Sequence, residues 1–156
     1  MGIHVTIELG YEFGVKADRD AVFDVLADVP ASAGHFPRVH RLVDLGGGAW
    51  RWEMERTGVS QITHQTVYAS RYVADRAAGT VSWTPVSGEG NAQIAGRWRA
   101  TRRDGHTRLV LEVRGSMEIP LPALMQSVVA PVVRGEFEKL VETYIANLTR
   151  HFGGAA

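Results

Sequence analysis

The chain has 156 residues, 45% of them hydrophobic, which is enough to bury one substantial core. Lys+Arg and Asp+Glu both total 17, so the formal net charge is zero and no basic stripe points to a nucleic acid. There is no cysteine, which excludes disulfides, thiolate metal sites and cysteine nucleophiles.

Residues 3 to 15 alternate. Ile3, Val5, Ile7, Leu9, Tyr11, Phe13 and Val15 share one face, while His4, Thr6, Glu8 and Glu12 share the other. This predicts a long half-buried strand. The same stretch lacks the basic start and apolar run of a signal peptide, and no segment is apolar enough to span a bilayer. The expectation is a cytoplasmic chain with no stable membrane insertion. Asp18 stands at an N-cap position before Val22, Phe23, Leu26 and Val29 at helical spacing. Pro30 ends that helix and opens a short second one.

From 38 to about 118 the pattern predicts six strands. The turn signals are Gly46-Gly47-Gly48, a break near Thr57-Gly58, residues 75–79 (DRAAG), residues 87–90 (SGEG), and Asp104-Gly105. No crossover helix fits between them, so the pairing is antiparallel. In residues 45–56 (LGGGAWRWEMER), Trp50, Trp52 and Met54 alternate with Arg51, Glu53 and Glu55. Trp83 joins Val81 and Pro85 on one face. Trp98 joins Ile94, Gly96 and Ala100. Leu111, Val113 and Met117 share the inner face of the last strand. Four tryptophans on one concave face predict either ordinary core or an aromatic-lined cavity. Gly96 and Gly115 on inward faces predict added space, close approach or a bulge.

Then the period changes. Leu121, Leu124, Met125, Val128, Val132, Phe137, Leu140, Val141, Tyr144, Leu148 and Phe152 recur at three and four. This predicts one amphipathic helix from about Pro122, loosened between Pro131 and Gly135. The fold class is α+β in the order β-α-α-β6-α, a seven-stranded antiparallel sheet wrapped around a long C-terminal helix, as one domain over 1–156. A sheet of seven strands is about 29 Å wide and one helix is about 10 Å thick, so a helix alone leaves space.

The opening strand running into residues 15–29 (VKADRDAVFDVLADV), the following residues 35–39 (HFPRV), the meander and the final amphipathic helix resemble the helix-grip START/Bet v1-like (SRPBCC) superfamily, which includes polyketide cyclase/dehydrase and lipid-transport types. The resemblance implies a hydrophobic cavity between sheet and helix for a lipid, polyketide or other apolar molecule. It carries over no catalytic residue.

The expected ligand-binding residues are Trp50, Trp52, Met54, Trp83, Trp98, Leu111, Val113, Met117, Met125, Val128 and Val129. Leu124, Met125, Val128, Val129 and Val132 form the expected roof over a space of about 300–1,000 Å³. Three methionines, Met54, Met117 and Met125, suit an adaptable wall. In residues 60–72 (SQITHQTVYASRY), His64, Tyr68 and Tyr72 share a face and are the acid/base candidates if that face points inward. The six histidines form no metal spacing, Ser60, Ser87 and Ser116 lack a nucleophile context, and neither glycine cluster opens a helix to cradle phosphate. The expectation is no metal and no cofactor. The leading function is binding of a hydrophobic or aromatic small molecule; the alternative is a cyclase/aromatase-type enzyme using the same cavity. The sequence leaves a homodimer open.

Overall fold

A computed structural model describes residues 2–59 and 62–156; Ser60 and Gln61 of the acid/base stretch lie outside the described residues. Strand β1 (Ile3–Val15) is followed by helices α1 (Arg19–Ala27) and α2 (Val29–Ala33). The first cap falls where the sequence placed it, with the Asp18 carboxylate accepting from Ala21 N at 2.8 Å; the second is a finding of the structure, with Asp28 accepting from Ala31 N at 3.2 Å. Each satisfies an N–H that the first helical turn would leave orphaned.

Then come β2 (Val39–Gly46), β3 (Ala49–Met54), a small hairpin of β4 (Thr57–Val59) and β5 (Ile62–His64), β6 (Val67–Asp75), β7 (Thr80–Gly90), β8 (Ala92–Arg103) and β9 (His106–Ile119). The main sheet has seven strands in the order β1-β9-β8-β7-β6-β3-β2, all antiparallel; β4 and β5 pair only with each other. The sheet therefore matches the seven-stranded reading, and the small hairpin is an unforeseen addition at the Thr57-Gly58 break. Gly46, Gly47 and Gly48 all have positive φ in the β2–β3 turn, a region where a side chain would clash. Residues 87–90 do not end a strand as expected. They stay within β7, and the turn follows at Asn91, whose side chain accepts from Val67 N and donates to Gln65 O.

A short 3-10 turn (Ala123–Met125) leads into helix α3 (Gln126–His151), 26 residues running unbroken through Pro131. The helix thus starts four residues later than Pro122, the expected start. Its N-terminal half is stitched to β1. Gln126 Nε2 donates to His4 O at 2.6 Å, and its Oε1 accepts from His4 N at 3.2 Å. Arg134 Nε donates to Thr6 O at 2.9 Å. Beyond the helix, Phe152 O and Gly154 O accept from Ala17 N and Lys16 N. Strand β1 is an edge of the sheet, so these bonds satisfy backbone groups that would otherwise invite another strand.

The core lies between the concave face and α1, α2 and the C-terminal half of α3. Leu109, Leu111, Val141 and Leu148 are among its fully enclosed side chains. Phe137, Val141, Tyr144 and Leu148, at spacings of four, three and four, make the inward stripe of the helix. No helix among the described residues is long and apolar enough to cross a membrane.

Candidate functional site

A cavity of about 60 Å³ lies between the sheet and α3. Its floor is Trp52 of β3, Tyr68 and Tyr72 of β6, Trp83 of β7, Ile94 and Trp98 of β8, and Leu111 and Val113 of β9. Its roof is Phe137, Val141 and Tyr144 of α3. Its end wall is Leu26, Val29, Ser32 and Phe36, from α1, α2 and the loop after them. Alternation along each strand puts these floor residues on the concave side, because i and i+2 share a face.

The aromatic rings form a nearly continuous belt. Trp52 and Tyr68 stack with centroids 5.8 Å apart and planes 11° apart. Trp52 Nε1 donates to the Tyr72 hydroxyl at 3.0 Å, and Tyr72 packs on Trp83 at 5.6 Å. Phe36 meets Trp52 edge-on at 5.7 Å and Tyr144 at 5.1 Å; Trp98 meets Tyr144 at 6.0 Å. The Tyr144 and Ser32 hydroxyls hydrogen-bond to each other across the helix–helix contact. Burial pushes the phenols of Tyr68, Tyr72 and Tyr144 above the usual tyrosine range, so all three remain protonated at neutral pH. No Asp, Glu, Lys, Arg or His lines the cavity.

Seven of the residues expected to bind a ligand or move protons meet at this cavity: Trp52, Tyr68, Tyr72, Trp83, Trp98, Leu111 and Val113. The face of β6 left open by the sequence is thereby decided: Tyr68 and Tyr72 point inward, and Ser70 between them donates to Ile94 O at 2.9 Å.

Other expectations require correction. Trp50 shares the inner face but is half-buried against Ser70 in register, short of the cavity. Met54 is buried beyond Trp52, opposite Val39. Met117 packs between Val5 and Ala92 at the other end of the sheet. Met125 sits half-buried in the 3-10 turn, and Val129 is buried outside the lining. The expected roof is overturned: Leu124, Val128 and Val132 are 88%, 68% and 58% exposed. The reason is the stitching of Gln126 and Arg134 to the free edge of β1. It holds the N-terminal half of α3 over that edge and turns its Leu124-Val128-Val132 stripe to solvent.

The volume is also overturned. The space is about a fifth of the smallest expected. Gly96 and Gly115 add no space. A Cβ on Gly96 would lie 2.4 Å from the Trp83 ring, and one on Gly115 would lie 2.5 Å from Ile94 Cδ1, so neighbouring side chains fill both hollows.

His64 does not join the two tyrosines. Periodicity read residues 60–72 as one strand, but it breaks at Gln65-Thr66. There Gln65 Nε2 donates to Met54 O at 2.9 Å, and Thr66 O accepts from Met54 N. His64 therefore sits in the small hairpin, buried, with its Nε2 3.3 Å from Thr66 Oγ1, and outside the cavity lining. Burial lowers its pKa. Its neutral form is favoured in the fold, so the stability it contributes is intact above about pH 6.5 and declines as pH falls from there toward the lowered folded value. A ring-proton NMR titration of His64 is expected to show a midpoint below 6.5; a midpoint at or above 6.5 would contradict its burial.

Sequence reasoning passed over Ser32, Phe36, Phe137, Val141 and Tyr144 as site residues. The last three shared a visible helical stripe. Nothing in the sequence distinguished that half of the helix from the half expected to form the roof.

The element order, the sheet order and a long helix laid across the concave face define the helix-grip fold of START/Bet v1-like (SRPBCC) type. The structure is similar to the Zhui aromatase/cyclase from Streptomyces sp. R1128, at a TM-score of 0.69 and 18% identity over 95% of this chain and 94% of that one. It is similar to a START superfamily protein from Mycobacterium smegmatis, with a TM-score of 0.65 and 13% identity over 94% and 97% of the two chains. It is also similar to major latex-like protein 151 from Panax ginseng, with a TM-score of 0.60 and 12% identity over 95% and 98%. Identities this low show a shared fold. No protein-family model matches the sequence, and no curated protein matches it.

Proposed function

We propose that the protein binds a hydrophobic or aromatic small molecule in the cavity between the sheet and α3. The observation that carries this reading is the aromatic belt enclosing a space that no charged side chain lines. Small-molecule sites are commonly apolar concavities with a few placed polar groups, and Tyr68, Tyr72, Tyr144 and Ser32 supply such groups here. The solved structures of similar fold include an aromatase/cyclase and a START superfamily protein, which accords with a cavity put to use. The cyclase alternative is less well supported. Its only histidine candidate, His64, lies outside the lining, and phenols held protonated can donate a hydrogen bond but do not serve as bases at neutral pH.

A guest larger than the resting space enters by displacing the half-buried Phe137 from the roof. Pro131 has no N–H to give Ser127 O, which weakens the helix six residues before Phe137.

Native mass spectrometry of the protein as purified, together with uptake of the neutral dye Nile red, tests the reading. The expected result is a non-covalent adduct or a rise in dye fluorescence that Val141→Phe, which fills the cavity, abolishes. A protein that carries nothing and excludes the dye, or dye uptake unchanged by Val141→Phe, would overturn it.

A further inference from the structure

We infer that the guest of this cavity is a neutral compound with a hydrogen-bond-accepting oxygen of carbonyl type, and that Tyr68 is its polar anchor; this rests on the cavity being the binding site. The first ground is charge. A carboxylate or ammonium guest would be taken from water into a lining with no opposite charge, a transfer that is strongly unfavourable.

The second ground is the state of each hydroxyl group. The Tyr72 oxygen already accepts from Trp52 Nε1. Tyr144 and Ser32 share one hydrogen bond, in which one hydroxyl donates and the other accepts. Tyr68 is only 6% exposed, yet its hydroxyl has no hydrogen-bond partner among the described residues. Among those residues, no fully enclosed side-chain nitrogen or oxygen lacks a partner. The Tyr68 hydroxyl is therefore not fully enclosed in hydrocarbon, and Tyr68 is one of the residues lining the cavity. A buried hydroxyl left unpaired costs more than a bond made to a guest, so the site favours a molecule that completes it.

The third ground is the balance of donors and acceptors. Tyr68 offers an O–H, and Tyr72, whose oxygen is occupied, still has its own proton to give. No lining side chain carries a carbonyl or carboxylate. An acceptor without protons of its own can take the free Tyr68 and Tyr72 protons, which a purely hydrocarbon guest would leave unbonded. The Trp52 ring stacked against Tyr68 provides a flat apolar wall beside the anchor.

Calorimetric titration with four one-ring probes tests the inference: acetophenone, ethylbenzene (a similar shape without the oxygen), benzoate and benzylamine. Each is measured on the parent protein, on Phe137→Ala, which opens the roof, and on both with Tyr68→Phe added. The expected order is acetophenone about fivefold tighter than ethylbenzene, with benzoate and benzylamine at least tenfold weaker than acetophenone. Tyr68→Phe should erase the preference for acetophenone and leave ethylbenzene unchanged, with an unaltered melting temperature as the control for folding. Equal affinities for acetophenone and ethylbenzene, a preference that survives Tyr68→Phe, or a charged probe bound as tightly as acetophenone would overturn the anchor while leaving cavity binding standing. Failure of all four probes on both the parent and Phe137→Ala would overturn the cavity reading and the anchor together.

Discussion

Trp98→Ala is expected to lower stability by about 3–5 kcal/mol, the cost of truncating a large core aromatic. Trp98 is 2% exposed and touches Phe13 edge-on at 6.0 Å as well as Tyr144. An aromatic facing a roomy cavity would leave mostly empty space behind and cost less. Here the adjoining space is only about 60 Å³, so the indole is packed on most sides and its loss creates a new void. For a chain of this length each kcal/mol lowers the melting temperature by about 2–4 °C, so a fall of roughly 10 °C is expected in thermal unfolding. Urea unfolding gives the free energy directly. A loss under about 1 kcal/mol would mean that Trp98 borders open space. The same variant should admit larger guests, which the four one-ring probes would register as tighter binding of acetophenone and ethylbenzene alike.

Gly96→Ala is expected to cost about 1–3 kcal/mol, although it adds a single methyl group. The new Cβ would sit 2.4 Å from Trp83 Cζ2 and 2.6 Å from Glu112 O. The indole can swing away, but the carbonyl belongs to β9 and is held in register along β8 from Ala92 to Arg103. The strand and Trp83 must therefore both shift, and Trp83 is part of the cavity floor. A double-mutant cycle separates the two collisions. In a Trp83→Ala background the Gly96→Ala penalty should shrink by the share due to the ring and keep the share due to Glu112 O. A penalty identical in both backgrounds would show that Trp83 does not rest on Gly96.

Much of the architecture was legible in residue order because its causes are local. Alternation made β1, β8 and β9 plain, and Asp18 marked the first helix start through the bond its carboxylate makes three residues on. Asp104-Gly105 gave a two-residue turn because Gly105 takes a φ of +73°. Where alternation continued through a break, it misled: His64 and Tyr68 stand an even number apart, but the hydrogen bonds at Gln65 and Thr66 end one strand and begin another.

The sequence by itself determined most of the elements, the inward faces of most strands and the aromatic character of the concave side, since burial sets periodicity and periodicity is written residue by residue. Only the tertiary structure decided which half of α3 roofs the site. Val128 and Val141 are equally apolar in sequence, and the choice was made by Gln126 and Arg134 reaching His4 and Thr6, residues more than 120 positions away. It also decided the size of the cavity. Volume is what remains after side chains from eight elements and the loop holding Phe36 have packed, and a small remainder of that kind depends on every one of their positions at once.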